Sequence, residues 1–150
     1  MQAVKNKLAS FGITANKYRN EVLFYLETFK NHPTAREILQ YLRQKYPYVS
    51  RATVYNTLKL FHEKGIVLAL NPEGKKIHYD ATISEHCHFV CETCGKVTDL
   101  REITLPSIQP SDMKKKLFIN SVVVYLFGYC ANCQAGINTI KSGPTQSASI

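Results

Sequence analysis

Two Cys-x₂-Cys pairs, Cys91/Cys94 and Cys130/Cys133, stand 35 residues apart and constrain this chain more than any other feature. Each pair can turn a knuckle that aims two thiolates at one ion, and two knuckles complete a tetrahedral four-sulfur site. No protein-ligand position stays open in such a site, so the spacing predicts structural Zn²⁺ that contributes folding energy to a small domain. Gly95 follows the first pair, where the tight turn of a knuckle favours a residue without a side chain. Cys87 makes the total odd, and paired spacing with an odd count argues for metal over disulfides, in a reducing compartment. A cytoplasmic address is expected, because no apolar run approaches the ~18 residues of a membrane span.

Upstream of the cysteines the chain changes character. Residues 1–80 hold 13 Lys+Arg against 6 Asp+Glu, and residues 81–150 hold 6 against 5. A basic half beside a nearly neutral half suits a phosphate-binding module joined to something else. The opening MQAVKNKLASFG alternates polar and apolar residues as an amphipathic helix does. Val22, Leu23, Leu26 and Phe29 lie at helical spacing and predict a helix over 17–30, broken at Asn31-His32-Pro33. Thr34-x-x-Glu37 is a capping box for a further helix that buries Ile38, Leu39 and Leu42 and stops by Pro47. Ser50 caps a third helical pattern, with Val54, Leu58 and Phe61 inward and Gly65 closing it. Runs at 66–70 and 75–80 around Asn71-Pro72-Glu73-Gly74 predict a β-hairpin. Helices joined by a short turn and followed by a hairpin make a winged helix-turn-helix.

A helix that enters a major groove needs polar side chains on its outer face near its start. Arg51, Thr53, Tyr55, Asn56 and Lys59 supply them, and Lys75 and Lys76 at the hairpin tip are placed to touch backbone phosphate. The partner these residues suit is double-stranded DNA. Beyond residue 80 the pattern turns strand-like, at 86–90, 96–100 and 120–129, with a short helix expected around 106–116 and a polar, disordered tail over 141–150.

A second set of metal-ligating residues is separate from the cysteines. His86 and His88 are two apart, so on a strand both face one side while Cys87 faces the other. With His32, Asp80 and Asp99 they offer three imidazoles and two carboxylates, a donor mix suited to Fe²⁺, Mn²⁺ or Zn²⁺ rather than Cu⁺.

The segment HPTAREILQYLRQKYPYVSRATVYNTLKLFHEKGIV, with HYDATISEHCHFVCETCGKVTDL and GYCANC, resembles the Fur family of metalloregulators over roughly residues 13–134. Within that family it is most similar to the peroxide-responsive PerR branch, which Asp80 and Asp99 match. The resemblance implies structural zinc on Cys91, Cys94, Cys130 and Cys133, and a regulatory Fe²⁺ or Mn²⁺ on His32, Asp80, His86, His88 and Asp99. It further implies a homodimeric repressor on operator DNA, relieved when peroxide oxidises a ligand histidine, His32 or His86. The sequence departs from the family run Ile-Thr-x-Gln-Arg: Ile13 to Arg19 carries two extra residues, and Cys87 occupies a variable position.

The expected fold class is α+β. A winged-helix DNA-binding domain spans 1–79 and a hinge spans 80–83. An α/β dimerisation and metal-binding domain with a Cys₄ zinc site follows over 84–140. An iron or zinc uptake regulator of the Fur or Zur kind is the alternative, and a zinc-ribbon protein adaptor a remote one. An enzyme is not expected, since a zinc deaminase needs His-x-Glu and a proline before its cysteine pair, and this chain has neither.

Overall fold

Each helix of the N-terminal half begins or ends where a local signal says it must. The computed structural model describes residues 1–72, 74, 76–84, 86–101 and 122–135. Lys75, the helix expected at 106–116 and the tail at 141–150 lie outside them. The chain forms two compact units, Met1–Glu85 and His86–Ile150.

In the first unit, α1 (Gln2–Ser10) buries Val4 and Leu8. Helix α2 (Lys17–Phe29) starts at the expected residue and opens on Asn16, whose Oδ1 accepts from the Tyr18 and Arg19 N–H groups at 3.0 and 2.9 Å. Helix α3 (Ala35–Lys45) opens on the capping box, with Thr34 and Glu37 bonded reciprocally. Helix α4 (Arg51–Glu63) opens on Ser50, whose hydroxyl accepts from the Thr53 N–H at 3.0 Å. Leu8, Leu23, Ile38, Leu58, Phe61 and Ile66 are fully buried together. Each such side chain contributes about 1.5–3 kcal/mol of burial, so this unit is held by an ordinary apolar core.

Phe29 departs from its expected place in the buried stripe. It is 50% exposed and packs its ring edge on Tyr25 and Tyr41, because it is the last residue of α2 and extends past the core. The hairpin is shorter than the sequence predicts: β1 is Leu68–Leu70 and β2 is His78–Asp80, antiparallel with Leu68 opposite Asp80. Ile66 cannot join it, because its N–H bonds back to the Phe61 carbonyl at 3.0 Å and closes α4. Four helices followed by this hairpin form a winged helix-turn-helix.

In the second unit, β3 (Cys87–Cys91) is central in the order β4–β3–β5. Strand β4 (Val97–Leu100) runs antiparallel to it, with His88 opposite Asp99. Strand β5 (Val124–Gly128) runs parallel, with His88 opposite Tyr125 and Cys91 opposite Gly128. Gly128 makes a close approach there, since a Cβ would lie 3.2 Å from the Phe89 ring and the ring would have to shift to admit it.

Candidate metal centres and nucleic-acid surface

The first knuckle grows from the turn between β3 and β4. The Gly95 N–H bonds the Cys91 carbonyl at 2.8 Å, and Gly95 takes φ +70°, which its missing side chain permits. The second knuckle follows β5, whose register carries Gly128 to Cys91 and so delivers Cys130 beside the first pair. All four sulfurs lie within 4.8 Å of one another. Ligands about 2.3 Å from a tetrahedral zinc ion stand about 3.8 Å apart, and Cys94 Sγ to Cys130 Sγ is 3.9 Å.

Electrostatics at this site point the same way. The Cys91 thiol is drawn down to about 6, first by the Cys130 N–H and then by the Cys94 N–H. Cys133 is pushed up to about 12, first by the hydrogen bond it shares with Cys130 and then by burial. The Cys91 thiolate forms readily, and Cys133 resists ionising beside the other sulfurs. A dication removes that conflict by taking all four as thiolates. The donor chemistry fits zinc.

Within the second unit, strand alternation puts His86 and His88 on one face, with the cross-strand partner Asp99 beside them. The two Nε2 atoms are 3.0 Å apart, and His86 Nε2 lies 3.3 Å from Asp99 Oδ1. Adjacent ligands about 2.1 Å from an octahedral ion are about 3.0 Å apart; the two imidazole nitrogens and the His86–Asp99 pair are near that spacing, while His88 Nε2 to Asp99 Oδ1 is wider at 3.9 Å. Arg101 holds the far oxygen of Asp99 at 3.6 Å. Cys87 is fully buried on the other face of β3 and takes no part.

Within the first unit, His32 and Asp80 form a buried pair, Nε2 to Oδ2 at 3.8 Å. Asp80 Oδ1 accepts the Thr82 N–H at 2.8 Å, which fixes the carboxylate at the end of β2. Neither set contains sulfur, so each suits a harder ion than the cysteine site.

On α4, Arg51, Tyr55, Asn56 and Lys59 are exposed, as a reading face must be. Thr53 is half-buried with its hydroxyl 2.9 Å from that of Ser50, and Lys59 lies 3.8 Å from Glu63 on the same helix. Lys76 is exposed near the hairpin tip. A further basic surface escaped the sequence reading. Arg36, Gln40 and Arg43 of α3 line a recess of about 430 Å³ with Arg51 and Tyr55. Their spacing at i, i+4 and i+7, on a helix whose apolar side carries the stronger periodic pattern, is the signal in the sequence. Three guanidiniums and no carboxylate line this recess, which suits a phosphate group.

Arg19 sits at the third position of α2, and its Nη1 donates to the Thr14 carbonyl at 2.7 Å. No helix among the described residues is long and apolar enough to cross a membrane.

Comparison with known proteins agrees with this architecture. Residues 10–126 match the ferric uptake regulator family. The peroxide-responsive repressor PerR of Staphylococcus aureus is 34% identical over 128 residues, 85% of this chain and 86% of that protein. The crystal structure of the Campylobacter jejuni peroxide stress regulator superposes with a TM-score of 0.63 at 29% identity, over 88% of this chain and 97% of that one. The Helicobacter pylori ferric uptake regulator, at 22% identity and a TM-score of 0.65 over 89% of this chain and 90% of that one, shares the fold.

Proposed function

Since this chain belongs to the ferric uptake regulator family, we propose that it is a homodimeric, metal-dependent repressor of transcription that senses peroxide. The observation that carries the metal-dependent reading is the convergence of His86 Nε2, His88 Nε2 and Asp99 Oδ1 within 3.9 Å of one another. Three donors leave an Fe²⁺ or Mn²⁺ shell incomplete, and the His32–Asp80 pair offers two more of the same kind. One ion drawing on both sets, across a hinge at 80–83, would restrict how the DNA-binding unit is presented. In a dimer that selects the spacing of two α4 helices, which must meet half-sites about 34 Å apart.

Structural Zn²⁺ on Cys91, Cys94, Cys130 and Cys133 would serve folding alone, with no coordination position left for chemistry. For DNA, the reading residues are Arg51, Thr53, Tyr55, Asn56 and Lys59, with Lys75 and Lys76 on the wing and Arg36 and Arg43 added on backbone phosphate. Strand β5 supports self-association: it is an edge of the described sheet, and Val122, Phe127 and Tyr129 around it are exposed. The proposed compartment is the cytoplasm, where DNA and reduced thiols coexist.

Peroxide sensing rests on the two aspartates, Asp80 and Asp99, and on relatives named for peroxide response. Iron held in the site would promote a reaction in which peroxide is the two-electron oxidant: its O–O bond breaks, one oxygen replaces a ring C–H of His32 or His86 for a net gain of one oxygen, and the other oxygen leaves as water. The modified residue is the protein's own, so the event is sensing rather than turnover, and the chain is read as a regulator and not an enzyme. Peptide mass spectrometry after Fe²⁺ and peroxide treatment tests this. One added oxygen on His32 or His86, absent when Mn²⁺ replaces Fe²⁺, is the expected result. Unmodified histidines with intact metal-stimulated DNA binding would make it an iron or zinc supply regulator instead.

A further inference from the structure

We propose that His78 is a positioning residue for the imidazole of His32, acting through the backbone that carries it. The inference rests on the reading of His32 as a metal ligand and adds to it a residue outside the ligand set. The turn between α2 and α3 contains two left-handed residues, Lys30 at φ +46° and His32 at φ +48°, and neither is glycine. A side chain with a Cβ adopts that conformation rarely, and it persists where the surroundings over-determine it. The turn is therefore held from outside.

Strand β2 does the holding, through three successive residues. The His78 ring donates from Nδ1 to the His32 carbonyl at 2.7 Å, the Tyr79 N–H donates to the Pro33 carbonyl at 2.9 Å, and Asp80 faces the His32 ring. The Tyr79–Pro33 bond belongs to a β-bridge that pairs Thr34 with His78. Because a carbonyl oxygen only accepts, Nδ1 of His78 must carry the hydrogen, which settles the tautomer if the ring is neutral. The bond falls on one of the two peptide groups that flank the His32 Cα, and so helps fix where its side chain leaves the backbone. It also ties that side chain to the wing strand, so that whatever grips the His32 ring also bears on the hairpin.

Outer partners that orient a ligand typically change metal affinity about 10–100-fold when removed. The informative variants are His78→Leu, which deletes the donor, and His78→Asn, whose amide nitrogen, like Nδ1, is bonded to Cγ. Full-length protein of each, with His32→Ala as the reference, is titrated with Mn²⁺ by equilibrium dialysis, with zinc content and thermal unfolding measured alongside. His78→Leu is expected to weaken Mn²⁺ binding by about 10–100-fold, and His78→Asn to restore it to within about threefold of the parent protein. Zinc content should stay the same in all of them. Parent-like Mn²⁺ affinity in His78→Leu, with binding lost in His32→Ala, would overturn the positioning role while leaving the ligand. An Asn variant as weak as Leu would show that ring packing matters and the N–H does not. Parent-like affinity in His32→Ala would remove the ligand reading itself, and this inference with it.

Discussion

The two units of this chain solve the problem of holding a small fold together in opposite ways. The N-terminal unit buries Leu8, Leu23, Ile38, Leu58 and Phe61 completely, and its helices α2, α3 and α4 carry side-chain caps. The C-terminal unit, among its described residues, buries Val90, Val97, Cys87 and Cys91, with exposed aromatics on its edge strand. Among the described residues the strands are short and the apolar burial slight, so four convergent thiolates are expected to contribute much of what holds this sheet. The difference teaches where each unit is vulnerable. Hydrophobic truncation threatens the first unit, and metal removal threatens the second.

The largest effect should follow Cys91→Ser. Structural zinc contributes on the order of 10 kcal/mol of folding free energy in small domains, and this change removes the thiolate most easily formed. The variant should lose zinc and the amide protection of β3 to β5 while helical circular dichroism from α1 to α4 persists. Loss of helical signal in step with the zinc would break the contrast between units.

Leu58→Ala should act the other way. Deleting a fully buried leucine costs about 2–5 kcal/mol, so the helical transition in urea should shift well down while zinc content stays at that of the parent protein.

A smaller change sharpens the picture at one helix end. Thr34→Ala removes the capping hydroxyl of α3 and should cost about 1 kcal/mol. Its pH dependence has a definite sign. Burial draws the Glu37 carboxyl upward, but hydrogen bonds from the Thr34 backbone and hydroxyl outweigh that and hold it below the ordinary glutamate value. Stability from this group is therefore complete above the ordinary value and is lost as pH falls through the lowered one. The difference between parent and variant, measured by denaturant unfolding, should shrink over that acidic window and stay flat at neutral pH.

What was legible in the sequence follows the same division. Local signals were readable because their physics is local: the Thr34–Glu37 box, the Ser50 cap, the Gly65 stop and the cysteine spacing all act within a few residues. The alternation that brings His86 and His88 together is of the same kind. Features that depend on distant partners were not readable. The left-handed turn at His32 is set by strand β2, some 46 residues away. The parallel pairing of β3 with β5 leaves no periodic mark of its own, and the basic side of α3 acquires meaning only once Arg51 and Tyr55 are packed beside it. Phe29 kept the correct spacing for a core residue but had no core opposite it.

The regulatory claim depends on the nitrogen and oxygen donors being separable from the sulfur site. Operator binding by the full-length protein, titrated with Mn²⁺ for the parent protein and for His32→Ala, tests this most directly when zinc is quantified in both. The expected result is a folded, zinc-loaded variant whose DNA affinity no longer responds to Mn²⁺. Tight binding that still rises with Mn²⁺ in that variant would contradict the account.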